Sequence, residues 1–245
     1  MTFEMLDRSM RVFETTNDLR VLPGISMVAR LDGRNFTRLT KETLRCEAPF
    51  DSRFRDSMAE TVEHLMANSG FAFTYGYTQS DEMSLLLAPE DDTFGRKIRK
   101  LVSILAGEAS ARFSLSAGVM AVFDCRISQL PSTDLVVDYF RWRAEDAHRN
   151  ALNTHCYWLL RKQGHDSGRA TDALSGMSVA AKNELLFHNG LNFNDTPKWH
   201  RRGIGFYWER TDGSPGRRIV RDLELPMKDA YDAFVRSRIA PAGPS

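Results

Sequence analysis

Residues 71–87, FAFTYGYTQSDEMSLLL, carry the reading on which the fold turns. Phe71 to Tyr77 (FAFTYGY) and Glu82 to Leu87 (EMSLLL) are two β-rich runs. Thr78-Gln79-Ser80-Asp81 separates them, which predicts a hairpin whose loop is slightly longer than the tightest turns. Upstream, Asp51 to Asn68 reads as a helix with Phe54, Met58, Val62, Leu65 and Met66 on one face. Asp51 is placed to cap it and Gly70 lies just past its end. Further back, Ser26 to Leu31 (SMVARL) reads as a strand that stops at Asp32-Gly33. Downstream, Thr93 to about Ser116 is a long amphipathic helix, with Phe94, Ile98, Leu101, Val102, Leu105, Ala109 and Phe113 recurring every three or four residues. Ala121 to Asp124 is a short strand. The order β, α, β-hairpin, α, β predicts an α+β fold: a ferredoxin-like split βαβ antiparallel sheet with helices on one face.

Beyond Pro131 the pattern changes. Asp134 to Gln163 reads as one helix rich in aromatic and basic residues, with shorter helical pieces at Ala170 to Ser175 and Ser178 to Leu186. Gly203 to Glu209 and Arg217 to Leu223 read as a second hairpin. The expected organisation is a catalytic-type unit over 1–131 and a mostly helical extension over 132–239 packed on it. A disordered tail follows over 240–245 (APAGPS). No flexible linker separates the two larger parts.

The 245 residues suffice to bury about 70% of the unfolded surface without disulfides or a structural metal. Cys46, Cys125 and Cys156 are odd in number and widely spaced, so neither a disulfide framework nor a zinc knuckle is expected. No run of eighteen or so residues is apolar and free of charge, and the N-terminus lacks a signal-peptide core. A soluble, cytoplasmic protein with no membrane partner is expected. With 33 Lys and Arg against 32 Asp and Glu, bulk charge announces no nucleic-acid partner, and any such binding must come from local clusters.

Two acidic sites stand at strand ends in this layout. Asp32 closes the first strand, and Asp81 with Glu82 follows Gln79-Ser80 at the hairpin. In a split βαβ sheet the first strand lies beside the hairpin, so the carboxylates converge. Two of them about 4 Å apart repel by roughly 4 kcal/mol at an effective dielectric of about 20. Either one is protonated or a cation lies between, and oxygen-only ligands select Mg²⁺. A pair of such ions suits in-line nucleotidyl transfer. An Asp-Gly turn or a solvated Ser-Asp-Glu loop accounts for each motif taken alone.

Four blocks then fall in register: Arg30-Leu31-Asp32-Gly33-Arg34-Asn35-Phe36, Tyr75-Gly76-Tyr77-Thr78-Gln79-Ser80-Asp81-Glu82, Glu145-Asp146-Ala147-His148-Arg149-Asn150 and Ala181-Lys182-Asn183-Glu184-Leu185-Leu186-Phe187. Together they resemble the tRNA-histidine guanylyltransferase family, and more closely its bacterial guanylyltransferase-like branch, over about residues 6 to 210. The resemblance implies a polymerase-palm catalytic unit and 3′–5′ nucleotide addition. In that chemistry ATP activates the 5′ end of a tRNA, and the 3′-hydroxyl of an incoming nucleotide, GTP in the founding activity, attacks it. It further implies two Mg²⁺ ions and a homotetramer.

Carried over residue by residue, the resemblance makes Asp32, the carbonyl of Gly33 and Asp81 the metal ligands, with Glu82 as an adjoining catalytic carboxylate. Asp32, Gly33, Arg34, Asn35, Phe36, Thr37, Ser80 and Asp81 match nucleotide contacts, and Lys97 and Lys100 match triphosphate contacts. His148, Asn150 and Lys182 match positions tied to tRNA and activity. Three departures stand out. Ala48 occupies the place before Pro49 where the family often has Lys, leaving Arg45 or a neighbour to substitute. Asn150-Ala151 follows His148-Arg149 where eukaryotic members have His-Ile-Asn-Asn, and Thr37 replaces a His. The last two favour template-directed 5′-end repair of truncated tRNAs over addition of a single G to tRNA-His. Two rival expectations remain: a cyclase or nucleotidyltransferase acting on free nucleotides, and a non-catalytic tRNA-binding protein.

Overall fold

In the computed structural model, which describes residues 1–211 and 216–239, α1 (Phe3–Thr15) precedes β1 (Ser26–Gly33). A short α2 (Phe36–Arg38) runs into a π-helical turn at Leu39–Thr43, and α3 (Ser52–Asn68) leads into β2 (Phe73–Gln79) and β3 (Glu82–Leu87). A 3-10 turn at Thr93–Arg96 precedes α4 (Ile98–Ala117) and β4 (Phe123–Leu130). There follow α5 (Thr133–Lys162), α6 (Ser167–Leu174), α7 (Val179–His188), α8 (Lys198–Arg202), β5 (Ile204–Arg210), β6 (Arg217–Asp222) and α9 (Asp229–Ile239). The expected tail at 240–245 and residues 212–215 of the second hairpin lie outside the described residues.

The six strands form one antiparallel sheet in the order β4-β1-β3-β2-β5-β6. Side chains alternate across it with the period of two that a pleated strand imposes. Met27, Ala29 and Leu31 of β1 join Met83, Leu85 and Leu87 of β3 on one face, against α3 and α4. Val28 and Leu86 point to the other face with Tyr75 and Tyr77, where Val136, Val137 and Phe140 of α5 and Tyr231 and Val235 of α9 cover them. The helices of the first half therefore occupy one face, and the C-terminal region supplies the cover for the other.

Several boundaries differ from the sequence reading, and at the site end of the sheet three of them differ for a tertiary reason. β1 does not stop before Asp32: Asp32 pairs with Glu82 on one side and Asp124 on the other, and Gly33 pairs with Phe123. β4 correspondingly runs eight residues, because it has the whole of β1 to pair with. The hairpin loop shrinks to Ser80-Asp81, since Thr78 is drawn into the sheet by Ile204 of β5 and Gln79 pairs with Glu82. Local propensity does not see these partners. The stripe residues Leu101, Leu105, Ala109 and Phe113 of α4 and Met58, Val62, Leu65 and Met66 of α3 are buried. The helix expected from Thr93 begins only at Ile98, however, because Phe94 and Gly95 take left-handed φ values and Phe94 is left exposed. Asp51 caps α3 by accepting from the backbone N–H of Arg53. Among the described residues, no helix is long and apolar enough to cross a membrane.

Candidate active site at the carboxylate end of the sheet

The end of β1 and the β2–β3 loop are joined by backbone: the N–H of Gly33 donates to the carbonyl of Asp81 at 3.0 Å. This single bond sets residues far apart in sequence side by side. Asp32 lies opposite Glu82 in register, so both side chains stand on the α5 face of the sheet. Ser80, the first loop residue, holds φ of 54°, a left-handed conformation uncommon for a residue with a Cβ. Its hydroxyl donates to Asp81 Oδ1 at 3.1 Å. Gly33 is required for packing: a Cβ there would sit 2.4 Å from the ring of Phe36.

The electrostatics separate the three carboxylates. Burial pushes the Asp81 carboxyl up from the usual range, and the charge of Asp32 adds to the push. Glu82 is also raised, chiefly by burial, with Arg143 and Arg30 opposing. It is bridged by Arg30 on the same face and by Arg143 Nε at 3.2 Å, and Arg143 in turn reaches Asp146 at 2.5 Å. Glu82 is therefore already neutralised by two guanidiniums and takes a structural place beside the pair. Asp32 carries no hydrogen bond or ion pair from a side chain among the described residues.

α5 walls the cleft. Arg143, Asp146, Asn150 and Thr154 recur at helical spacing and, with Asp32, Ser80 and Asp81, enclose a cavity of about 340 Å³. Asn150 donates to Asp146 at 3.2 Å. Lys182 on α7 donates to Asn153, another residue of that wall, at 2.9 Å. His148 faces away, into a second cavity with Arg149, Arg201 and Arg202; burial lowers its basicity and the two arginines add to the effect. Asn153 and Thr154 were missed in the sequence reading. Their three- and four-residue spacing from Asn150 on one helix was the available signal.

The nucleotide-loop residues divide. Arg34, Asn35 and Thr37 are exposed, whereas Phe36 is buried in a ring cluster with Phe54, Phe113 and Phe123, so its side chain is core and only its backbone faces the loop. On the other side of Ser80 a second opening is lined by Phe50, Phe54, Trp158 and Trp199, an aromatic lining suited to a planar base.

Lys97 and Lys100 do not reach this end within one chain. They sit at the start of α4, where Arg96 donates to the carbonyl of Ile25, just before β1 begins. The far end of α4 is what meets the site, through Phe113 against Phe36. The strand between the two ends spans eight residues, about 25 Å. Lys97 pairs with Asp18 at 2.6 Å, Arg99 pairs with the same carboxylate, and Lys100 stands 6.0 Å from the ring of Phe94. Of the aromatic and basic residues on α5 and α8, several are taken up internally, whereas Trp142 and Arg149 are exposed. Arg143 and Arg201 are buried, and Arg141 is tied to Glu145, Asp229 and Asp232. His155 and Cys156 belong to the core.

Comparison with known proteins agrees with this geometry. The family model described as Thg1, tRNAHis guanylyltransferase, matches residues 7–131, and the Thg1 C-terminal domain model matches 134–230. A tRNA(His) guanylyltransferase of Neurospora crassa is 31% identical over 226 residues, 86% of this chain and 75% of the relative. That of Debaryomyces hansenii is 32% identical over 205 residues, 78% of this chain and 76% of the relative. A bacterial tRNA(His) guanylyltransferase (Thg1)-like protein in complex with ATP superposes with a TM-score of 0.80 at 25% identity, covering 96% of this chain and all of that one. Such a protein in complex with GTP superposes with a TM-score of 0.76, also at 25% identity, over 97% and 100% of the two chains. With both family models matched in order and the palm-like sheet carrying its carboxylates at one end, the chain belongs to the Thg1 tRNAHis guanylyltransferase family, enzymes that transfer nucleotides to the 5′ end of tRNA.

Proposed function

We propose that this protein is a Mg²⁺-dependent 3′–5′ nucleotidyltransferase that activates the 5′ end of a tRNA with ATP and then extends it, in the manner of templated repair of truncated 5′ ends. In the first step an oxygen of the 5′-phosphate forms a bond to the α-phosphorus of ATP and pyrophosphate leaves. In the second the 3′-hydroxyl of an incoming nucleotide such as GTP forms a bond to the 5′-phosphorus and AMP leaves. Repair, rather than one G added to tRNA-His, is supported by Thr37 and by the block His148-Arg149-Asn150-Ala151, which departs from the eukaryotic His-Ile-Asn-Asn at Arg149 and Ala151.

The observation that carries the reading is the Gly33–Asp81 backbone bond, which brings the Asp32 and Asp81 carboxylates together; among the described residues Asp32 has no ion pair, and only the more distant charge of Arg126 reaches it. The donor set fits Mg²⁺: the groups are all oxygens, and Asp81 is raised by burial and by its neighbour's charge, a strain a divalent cation relieves. Asp32, Asp81 and the carbonyl of Gly33 would hold it, and bound there it would withdraw charge from the phosphoryl oxygens. Around it Ser80 orients Asp81, while Arg30 and Arg143 hold Glu82 and keep a third bare carboxylate out of the cleft. The chemistry asks little of protein bases, since positioning and charge supply most of the stabilisation. Asn150 on the cleft wall and Lys182, bound to that wall through Asn153, are offered to tRNA at the cleft, while His148 stands on the other side of α5 with Arg149, Arg201 and Arg202.

Lys97 and Lys100 lie a strand's length away, so a triphosphate gripped by them sits in the cleft of a neighbouring copy, consistent with a homotetramer as the working assembly. The test is incubation with 5′-truncated tRNA, ATP, GTP and Mg²⁺, reading the 5′-end length. The parental protein extends the end, Asp32→Ala does not, and extension by Asp32→Ala at the parental rate would overturn the metal assignment. Extension of the RNA, rather than turnover of GTP and ATP without it, separates this reading from a free-nucleotide cyclase.

A further inference from the structure

Among the described residues that line the openings beside the β2–β3 loop, one cation is left without a carboxylate; exposed Arg34, which has no ion pair either, lines none of them. Each guanidinium lining the openings is already paired: Arg38 with Glu42 at 2.8 Å, Arg55 with Asp56 at 2.9 Å, and Arg143 with Glu82 and Asp146. Lys41 is not. No ion pair or hydrogen bond of its ammonium occurs among the described residues, and its nearest recorded neighbours are the rings of Tyr157 at 5.9 Å and Trp158 at 6.0 Å. It lines both openings that flank the β2–β3 loop: the aromatic one with Ser80, and a second one of about 610 Å³ with Gly33 and Asp81. Ala48 lines the first of these and brings no charge, while exposed Arg45 lines neither.

The backbone that presents Lys41 is unusual. Leu39–Thr43 is a π-helical turn, closed by the N–H of Leu44 donating to the carbonyl of Leu39 at 2.9 Å, five residues back. Such turns are rare and costlier than α geometry, and they re-aim the side chains that follow. Here the turn continues α2, which follows the end of β1 at Gly33 after only Arg34 and Asn35, so the strand end and the lysine lie on one short continuous segment.

We propose that Lys41 is a polyphosphate-binding residue that this chain itself contributes to the cleft, beside any lysines of a neighbouring copy: its ammonium holds the outer phosphates of a nucleoside triphosphate whose α-phosphorus lies at Asp32 and Asp81. The proposal rests on the nucleotidyltransferase reading and adds the group that tells a triphosphate from a monophosphate. An ammonium is a point charge with three donors on a flexible stem, suited to a chain of phosphates rather than to one planar carboxylate. The aromatic pair beneath it keeps the stem over the cleft with no carboxylate to neutralise it.

The experiment is calorimetric titration of ATP and of AMP, with Mg²⁺, into the parental protein, Lys41→Met and Lys41→Arg, with thermal melts of all three. Lys41 is exposed, so the melts are expected to coincide. A lost charge-assisted bond predicts ATP binding weakened about 10- to 100-fold in Lys41→Met, AMP binding unchanged, and most of the ATP affinity kept in Lys41→Arg. An unaltered preference for ATP over AMP in Lys41→Met, or equal weakening of both ligands, overturns this inference and leaves the nucleotidyltransferase reading standing. A parental protein that binds neither ligand overturns both.

Discussion

The two ends of β1 carry comparable charge and use it in opposite ways. At the start of the strand Asp18, Arg96, Lys97 and Arg99 meet: Asp18 takes both Lys97 and Arg99, and Arg96 is buried against the carbonyls of Ile25, Pro89 and Asp91. The Asp18 carboxyl is held down at about 2 by its bonds to Arg99 and Lys97. At the other end Asp81 moves the opposite way, raised by burial and then by Asp32. At the first end Lys97 and Arg99 share one carboxylate within the chain and form a clasp, while the Lys100 ammonium has no ion pair among the described residues. The other keeps like charges together and leaves Lys41 unpaired, which has a physical use only when a ligand brings the missing charges. A basic run read from sequence cannot be told from a clasp until its carboxylate is located.

The strongest way to break this contrast is Asp81→Asn. Nucleotide addition is expected to fall by at least about 100-fold, while the melting midpoint holds or rises, because the lost charge was costly to bury. A 5′-extension assay beside a thermal melt reads both, and a collapsed melt with activity proportional to folded protein would make Asp81 merely structural.

Next in size is complementation between the two ends. Lys97→Ala/Lys100→Ala protein and Asp81→Ala protein are each expected to be nearly inactive. Mixed and reassembled, they regain a fraction of parental activity, because a neighbour's lysines serve an intact carboxylate cleft. Extension rates of the mixture against its components decide this, and no recovery would confine both lysines to the clasp.

Gly33→Ala tests the joint itself. The added carbon meets the Phe36 ring at 2.4 Å, so the ring or the strand must shift. The expected loss is about 1–3 kcal/mol of stability by urea titration, with impaired addition as the β1 end moves. An alanine variant as stable as the parent would show that the ring yields freely.

The smallest effect belongs to the clasp and is one of pH. Asp18 has its carboxyl depressed from 3.8 to about 2 on folding, so its stabilisation is fully present above pH 3.8 and is lost as pH falls towards 2. Asp18→Asn is expected to lower the melting midpoint modestly at pH 7 and to flatten the parental decline across that acid window, without changing nucleotide addition per folded molecule. Thermal melts between pH 2 and 5 supply the check.

Helical stripes were legible because they are local. Leu101, Leu105, Ala109 and Phe113 lie on one face of α4 whatever packs against them, and Asp51 caps α3 from within its own turn. The hairpin was legible for the same reason, and so was the placing of Asp32 beside Asp81 once the strand order was read as split βαβ. Strand ends were not, because Thr78 and Gly33 become strand only through Ile204 and Phe123, contributed from elsewhere in the chain. The same limit governed the charges. The sequence shows that Glu82, Lys97 and Lys41 are ionised side chains near motifs of interest. Only the tertiary structure places two guanidiniums on Glu82, a carboxylate on Lys97 and, among the described residues, none on Lys41, because pairing depends on distance through space, and the partners lie as much as 79 residues away.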